Sequence, residues 1–199
     1  MFRLLFMIVL AVTVSGESAT AEPDVGSAGT YQLHREGSSV HWKINQVGLS
    51  KFTGRFTRFD ATLVIDPAKP ENAKLAVSID PTSIRTDFLF ADRFDRELVE
   101  DENFFNSVKF PRITFTSTRI ERSGAKAAIV AGDLTLLGIV RPLILDVRLN
   151  AISEPHMGRK PAIRFTASAR IKRSEFGVVT RTFIADEILL MVEAEFIKL

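Results

Sequence analysis

The chain has 199 residues, no cysteine and a formal charge of only +2, with 26 Lys and Arg set against 24 Asp and Glu. Without cysteine, a disulfide scaffold, thiolate catalysis and cysteine metal sites are all excluded. The bases are interleaved with acids and form no run of five, so Arg170, Lys172 and Arg173 read as a solvated strand face and nucleic acid is not expected as a partner.

Met1 to Arg3 supply a short positive region, Leu4 to Val14 an almost unbroken apolar run, and Ala19-Thr20-Ala21 the small residues that a signal peptidase reads. Residues 1–21 are therefore expected to be a cleaved signal peptide that sends the protein out of the cytoplasm. The run is well short of the roughly 20 apolar residues of a spanning helix, so no stable membrane anchor is expected. Residues 22–30 are small, polar and Gly-containing, and read as a flexible leader. Residues 31–199 form the domain, which is large enough for a substantial core and carries no repeat or second boundary.

Ser38 to Asn45 alternates, with Val40, Trp42 and Ile44 on one face and His41, Lys43 and Asn45 on the other. That is a half-buried strand. Between Ser50 and Asp66 the apolar parity changes: Phe52, Gly54 and Phe56 share one phase, and Phe59, Ala61, Leu63 and Ile65 the opposite one. A switch near Thr57-Arg58 predicts a bulge or a sharp bend. After a turn at Asp66-Pro67, Leu75, Val77 and Ile79 begin the next strand. Phe88 to Val99 breaks the rhythm, because Phe90, Phe94 and Leu98 recur at helical spacing among charged residues and predict an amphipathic helix of about three turns.

Strands resume at Ile113–Glu121, Lys126–Leu137, Leu143–Ile152, Ala162–Lys172 and Phe183–Phe196. The stretch from Lys126 to Asn150 reads as a hairpin with one apolar face. Ala128, Val130, Leu134 and Leu136 share a phase in its first arm, and Leu143, Leu145, Val147 and Leu149 in its second. Gly138 and Pro142 are expected to bracket the connection. About eight long strands with one apolar face each predict an elongated antiparallel β-barrel, which hides every edge and can hold either a packed core or one small ligand.

Gly132 to Pro142, GDLTLLGIVRP, resembles the signature hairpin of the YceI family of exported lipid-binding proteins. Tyr31-Gln32-Leu33, Val47 to Phe56, Ser83-Ile84-Arg85-Thr86, Phe104-Phe105-Asn106, Lys109-Phe110-Pro111, Thr114-Phe115, Arg173 to Gly177 and Asp186-Glu187-Ile188 are similar to further motifs of that family, in its order. The resemblance implies a lipocalin-like barrel in the periplasm whose apolar interior holds a long isoprenoid or similar amphiphile, and no cofactor is expected from the motifs of the sequence. The sequence departs from the family pattern in its early strands at His34 and Gly37, and at Gln46 before the Gly48 segment.

The three histidines, His34, His41 and His156, are far apart and in different contexts, so no metal site is expected. No nucleophile elbow or phosphate loop occurs, and Ser174 has no base assigned to it. The chain is therefore expected to be a carrier or storage protein rather than an enzyme. An interaction module with a filled core is the alternative, and an enzyme acting on an isoprenoid or quinone stands third. Oligomeric state stays open, a homodimer included.

Sixteen phenylalanines against one Tyr and one Trp supply apolar area without polar groups that need partners. Val40, Trp42, Phe52, Phe56, Phe115, Leu134, Leu136 and Phe165 are expected to point inward, with Phe90 and Phe94 closing over one end. For an acidic head group, Arg93 beside Phe94 is the first candidate, with Arg85 and Thr86 at the same end. The plainer reading of Arg93 is a surface pair with Glu97 one turn along.

Overall fold

The computed structural model describes residues 27–46, 51–153, 160–178 and 184–199. The expected signal peptide, most of the leader, His156 and the Val47–Ser50 part of the second-strand motif lie outside the described residues. Within them, period-2 patterning becomes one antiparallel sheet of eleven strand segments: β1 (Gly29–Leu33), β2 (Ser39–Gln46), β3 (Lys51–Phe56), β4 (Phe59–Ile65), β5 (Lys74–Ile79), β6 (Ile84–Thr86), β7 (Ile113–Gly124), β8 (Ala127–Leu136), β9 (Ile139–Ser153), β10 (Ala162–Lys172) and β11 (Ile184–Lys198). The helix α1 spans Ala91–Glu100.

The ring runs β1-β4-β5-β7-β8-β9-β10-β11 and closes through β1 on β11, so the eight-stranded barrel read from the sequence is present. The remaining segments prolong three of its staves. β2 continues β1 along β11, β3 pairs with β2 and leads into β4, and β6 pairs with β3 beyond the end of β5. Closure satisfies the edges that a flat sheet would leave open.

The face switch expected near Thr57-Arg58 falls between β3 and β4. The fully buried Ser83 knits this corner: its hydroxyl accepts from the backbone N–H of Arg58 at 2.9 Å and of Thr57 at 3.2 Å, and donates to the Asp80 carbonyl at 2.7 Å. A buried bend leaves backbone groups outside the ladder, and one hydroxyl satisfies two of them.

The β8–β9 connection is tighter than expected. Leu137 and Gly138 alone form the turn, with φ of 52° and 72°, the left-handed pair that suits a two-residue hairpin. Pro142 does not bracket it but sits within β9 opposite Asp133. Among the described residues β9 pairs there with β8 only, since its pairing with β10 begins at Asp146, and a strand edge is where a proline can sit.

Two apolar clusters line the barrel interior. Tyr31, Ala61, Leu63, Ile65, Ile163 and Phe196 form the smaller, at the end away from α1, and four of them also line the interior space described below. The larger cluster lies toward α1 and includes Val40, Trp42, Phe56, Ile84, Leu98, Phe115 and Leu134. At the β10–β11 corner, the Ser174 hydroxyl and backbone N–H both donate to Asp186. Those hydrogen bonds hold the Asp186 carboxyl below its ordinary range, and Ser174 is thereby accounted for as a turn residue.

Candidate functional site

The inward phases of the strands do not meet in the middle. They leave a cavity of about 1000 Å³, walled almost entirely by apolar side chains. That is the upper end of the usual range for a small-molecule site. The alternation that makes a barrel also lines it: Val40, Trp42 and Ile44 on β2, Phe115 on β7, Leu134 and Leu136 on β8, and Leu143, Leu145, Val147 and Leu149 on β9 all face this space. Phe52 and Phe56 on β3 and Phe165 on β10 do so as well.

One wall is aromatic. Phe52 lies 5.6 Å from Trp42, 5.6 Å from Phe88 and 5.1 Å from Phe94, the last edge-on at 90°. The Trp42 ring packs against Gly54, where a Cβ would come within 2.4 Å of Cζ2. The glycine is there for close approach, since any side chain would push the indole out of the wall. The Trp42 indole nitrogen is buried and makes no hydrogen bond among the described residues.

Helix α1 covers one end of the cavity. Its register brings Phe94 and Leu98 onto the cavity, as its helical spacing predicts. The helix is fixed by Asp95, a buried carboxylate whose Oδ1 accepts from Thr86 Oγ1 at 2.6 Å and from the Thr86 backbone N–H at 3.0 Å. The chain after α1 folds back on it through Phe105 N–H to the Leu98 carbonyl and Ser107 N–H to the Val99 carbonyl. This brings Phe104 and Phe105 to the cavity, with Phe105 5.8 Å from Phe56.

Of the residues singled out from the sequence, Val40, Trp42, Phe52, Phe56, Phe94, Phe115, Leu134, Leu136 and Phe165 line the cavity. Four do not. Phe90 occupies the position just before α1, is 68% exposed and lies outside the lining; Phe88, two residues earlier and itself half-exposed, lines the cavity against Phe52 and Phe94. The donors of Thr86 are taken by Asp95. Arg85 is exposed and turns back onto the carbonyl of Ile84. Arg93 is exposed on the outer face of α1; it lies outside the lining and makes no ion pair among the described residues, Glu97 included.

Sequence reading missed Phe88, Phe104 and Phe105, which lie on irregular chain where no periodicity applies. It also missed the charges at the two ends. Glu97, Asp101 and Asn103 touch the cavity beside α1, whereas Arg122 and Lys126 touch it at the β7–β8 turn. Two further charged residues reach it. Arg173 spends its guanidinium on the carbonyls of Val178, Ile184 and Ala185, and Glu193 lies between the inward Val192 and Ala194 on β11. Among the described residues no cluster of His, Asp or Glu could hold a metal ion, and no helix is long and apolar enough to cross a membrane.

Comparison with known proteins agrees with this architecture. The family model of the YceI-like domain matches residues 31–196. Protein YceI of Escherichia coli O157:H7 is 34% identical over 155 residues, spanning 77% of this chain and 78% of that protein. The crystal structure of Burkholderia cenocepacia BcnA superposes with a TM-score of 0.71 at 23% identity, covering 82% of this chain and 98% of that one. A polyisoprenoid-binding domain from Saccharophagus degradans, implicated in plant cell wall breakdown, superposes with a TM-score of 0.62 at 14% identity, over 85% and 98% of the two chains. The last two likenesses establish the fold alone. The match over nearly the whole domain, joined to the closed barrel and its apolar interior, identifies the chain as a member of the YceI family.

Proposed function

We propose that this protein is an exported, non-enzymatic carrier or storage protein that holds a long apolar lipid, polyisoprenoid-like, inside its barrel. One observation carries the reading: the apolar cavity of about 1000 Å³ running inside a closed wall. A packed core would fill such a space, because voids forfeit dispersion contacts on every lining atom. A hydrocarbon chain recovers them and brings about 25 cal/mol for each Å² of apolar surface withdrawn from water. The polyisoprenoid-binding domain of Saccharophagus degradans shares the fold, which supports an isoprenoid as the ligand class. The proposed lining is Val40, Trp42, Phe52, Phe56, Phe94, Phe115, Leu134, Leu136 and Phe165.

Export rests on the N-terminal order of positive residue, apolar run and Ala-Thr-Ala, and the periplasm as its destination on the resemblance to the YceI family. Trp42 is the chain's single tryptophan and stands in the cavity wall, so its fluorescence reports occupancy. Titrating delipidated protein with geranylgeraniol should change Trp42 emission saturably. An emission spectrum unmoved by any prenol would contradict the reading.

A further inference from the structure

The two ends of the cavity differ in charge, and the difference arises from one irregularity in β7. Phe115 pairs with Leu134 and Ser117 with Gly132, but a bulge between Ser117 and Arg119 then shifts the register. Beyond it Ile120 stands opposite Val130, and Arg122 opposite Ala128. Directly opposed residues of an antiparallel pair project to the same face, and Val130 and Ala128 are cavity residues. The bulge therefore turns Arg122 to the inward face. Lys126 holds the same phase as Ala128 and Val130, and its carbonyl accepts from the N–H of the cavity residue Leu149 at 2.8 Å.

Both cations are thus aimed at the rim of an apolar cavity, on either side of the β7–β8 turn. Both are exposed, and neither makes an ion pair or a side-chain hydrogen bond among the described residues. The other end, beside α1, presents the acids Glu97 and Asp101, while the cation Arg173 at that end has its guanidinium engaged by the carbonyls of Val178, Ile184 and Ala185. These two ends lie at opposite ends of β8, whose ten residues span about 30 Å. The cavity is therefore long, greasy and polarised.

Building on the lipid reading above, we propose that the ligand is an amphiphile with an anionic oxyanion head, held by Arg122 and Lys126 at the β7–β8 rim, its tail running toward the phenylalanines beneath α1. Arg presents a fork of N–H donors suited to phosphate or carboxylate, and Lys adds a second positive charge. The acids beside α1 disfavour the reverse orientation by repulsion. Arg93, on the outer face of α1, takes no part.

The test titrates the delipidated full-length chain, followed by Trp42 fluorescence, with geranylgeranyl monophosphate and with geranylgeraniol. A saturated fatty acid and its alcohol serve as a second pair, separating phosphate from carboxylate. Wild type should bind the charged member of at least one pair about tenfold more tightly than its alcohol, as charge-assisted bonds to a rim predict. The double variant Arg122→Gln/Lys126→Gln should lose that preference while keeping its affinity for the alcohol and its melting temperature. Arg93→Ala should leave both affinities within about twofold, as for an ordinary surface substitution. Equal affinities for acid and alcohol in wild type, or a preference that survives in the double variant, overturns the assignment while leaving the cavity reading intact. A Trp42 signal that responds to none of the four probes overturns both.

Discussion

Removing Asp95 should unlatch α1, and the size of the effect follows from its contacts. Asp95 and Thr86 are each only 6% exposed, and the carboxylate accepts two hydrogen bonds from Thr86. In Asp95→Ala the Thr86 hydroxyl and backbone N–H lose that partner inside a dry contact. Hydrogen bonds to a charged group contribute about 1.5–3 kcal/mol each, and the two are not additive, so a loss of about 2–4 kcal/mol is expected. For a domain of this size each kcal/mol moves Tm by about 2–4 °C, so the melting temperature should fall by about 5–15 °C. The helix also holds Phe94 against Phe52, and Phe52 against Trp42. Release of the helix should therefore raise acrylamide quenching of Trp42 below the melting transition, because local opening requires less than global unfolding. Asp95→Asn, which keeps one acceptor oxygen, should fall between. A variant with wild-type Tm and wild-type quenching would refute the reasoning and make the contact incidental.

Leu134→Asp sets a carboxylate among apolar cavity residues; it should abolish lipid loading and lower stability by at least about 3 kcal/mol in urea unfolding, and normal loading would show that this face is not the binding face. Ser83→Ala leaves the Arg58 N–H at the β3–β4 corner unpaired and should cost about 1–3 kcal/mol with little change in ligand affinity, which urea midpoints and the Trp42 titration check together. Since the Asp186 carboxyl is depressed in the folded state by Ser174, its stabilisation is present above the unfolded carboxylate pKa of about 4 and is lost as pH falls through the lower folded value. The stability gap between wild type and Ser174→Ala should accordingly be widest above about pH 4 and close in more acid solution; a gap constant with pH would count against the linkage. The mature protein should begin near Glu22, and N-terminal sequencing that finds intact Met1 on the major cellular form would contradict export.

Much of the barrel was legible in the sequence because one physical rule, burial of one face of each strand, writes itself as alternation. Val40-His41-Trp42-Lys43-Ile44 needs nothing more than that rule to be placed. The phase change between Phe56 and Phe59 was legible for the same reason, since a bend that keeps both halves facing the core must break parity. Other features depend on contacts that alternation cannot carry. The β7 bulge hides in Ser117-Thr118-Arg119, all polar, so only the misphased Ile120 hints that Arg122 turns inward. Phe90 fits the helical period as well as Phe94 does, but it stands ahead of the first turn, where the period no longer governs direction. Pro142 reads as a strand end, and only the pairing shows β9 running through it with no second neighbour among the described residues. Thr86 was read as a free donor because nothing in the sequence reveals that Asp95, on the helix that follows, consumes it.

Native mass spectrometry of the protein purified from its own host, with organic extraction of the same sample, tests the central claim most directly. A carrier should arrive with one amphiphile per chain, released on denaturation and identified as a long-chain lipid, and the stripped protein should show altered Trp42 emission that the extract restores. A homogeneous mass equal to the bare chain, together with Trp42 emission indifferent to the host's own lipid extract, would contradict a lipid-holding barrel.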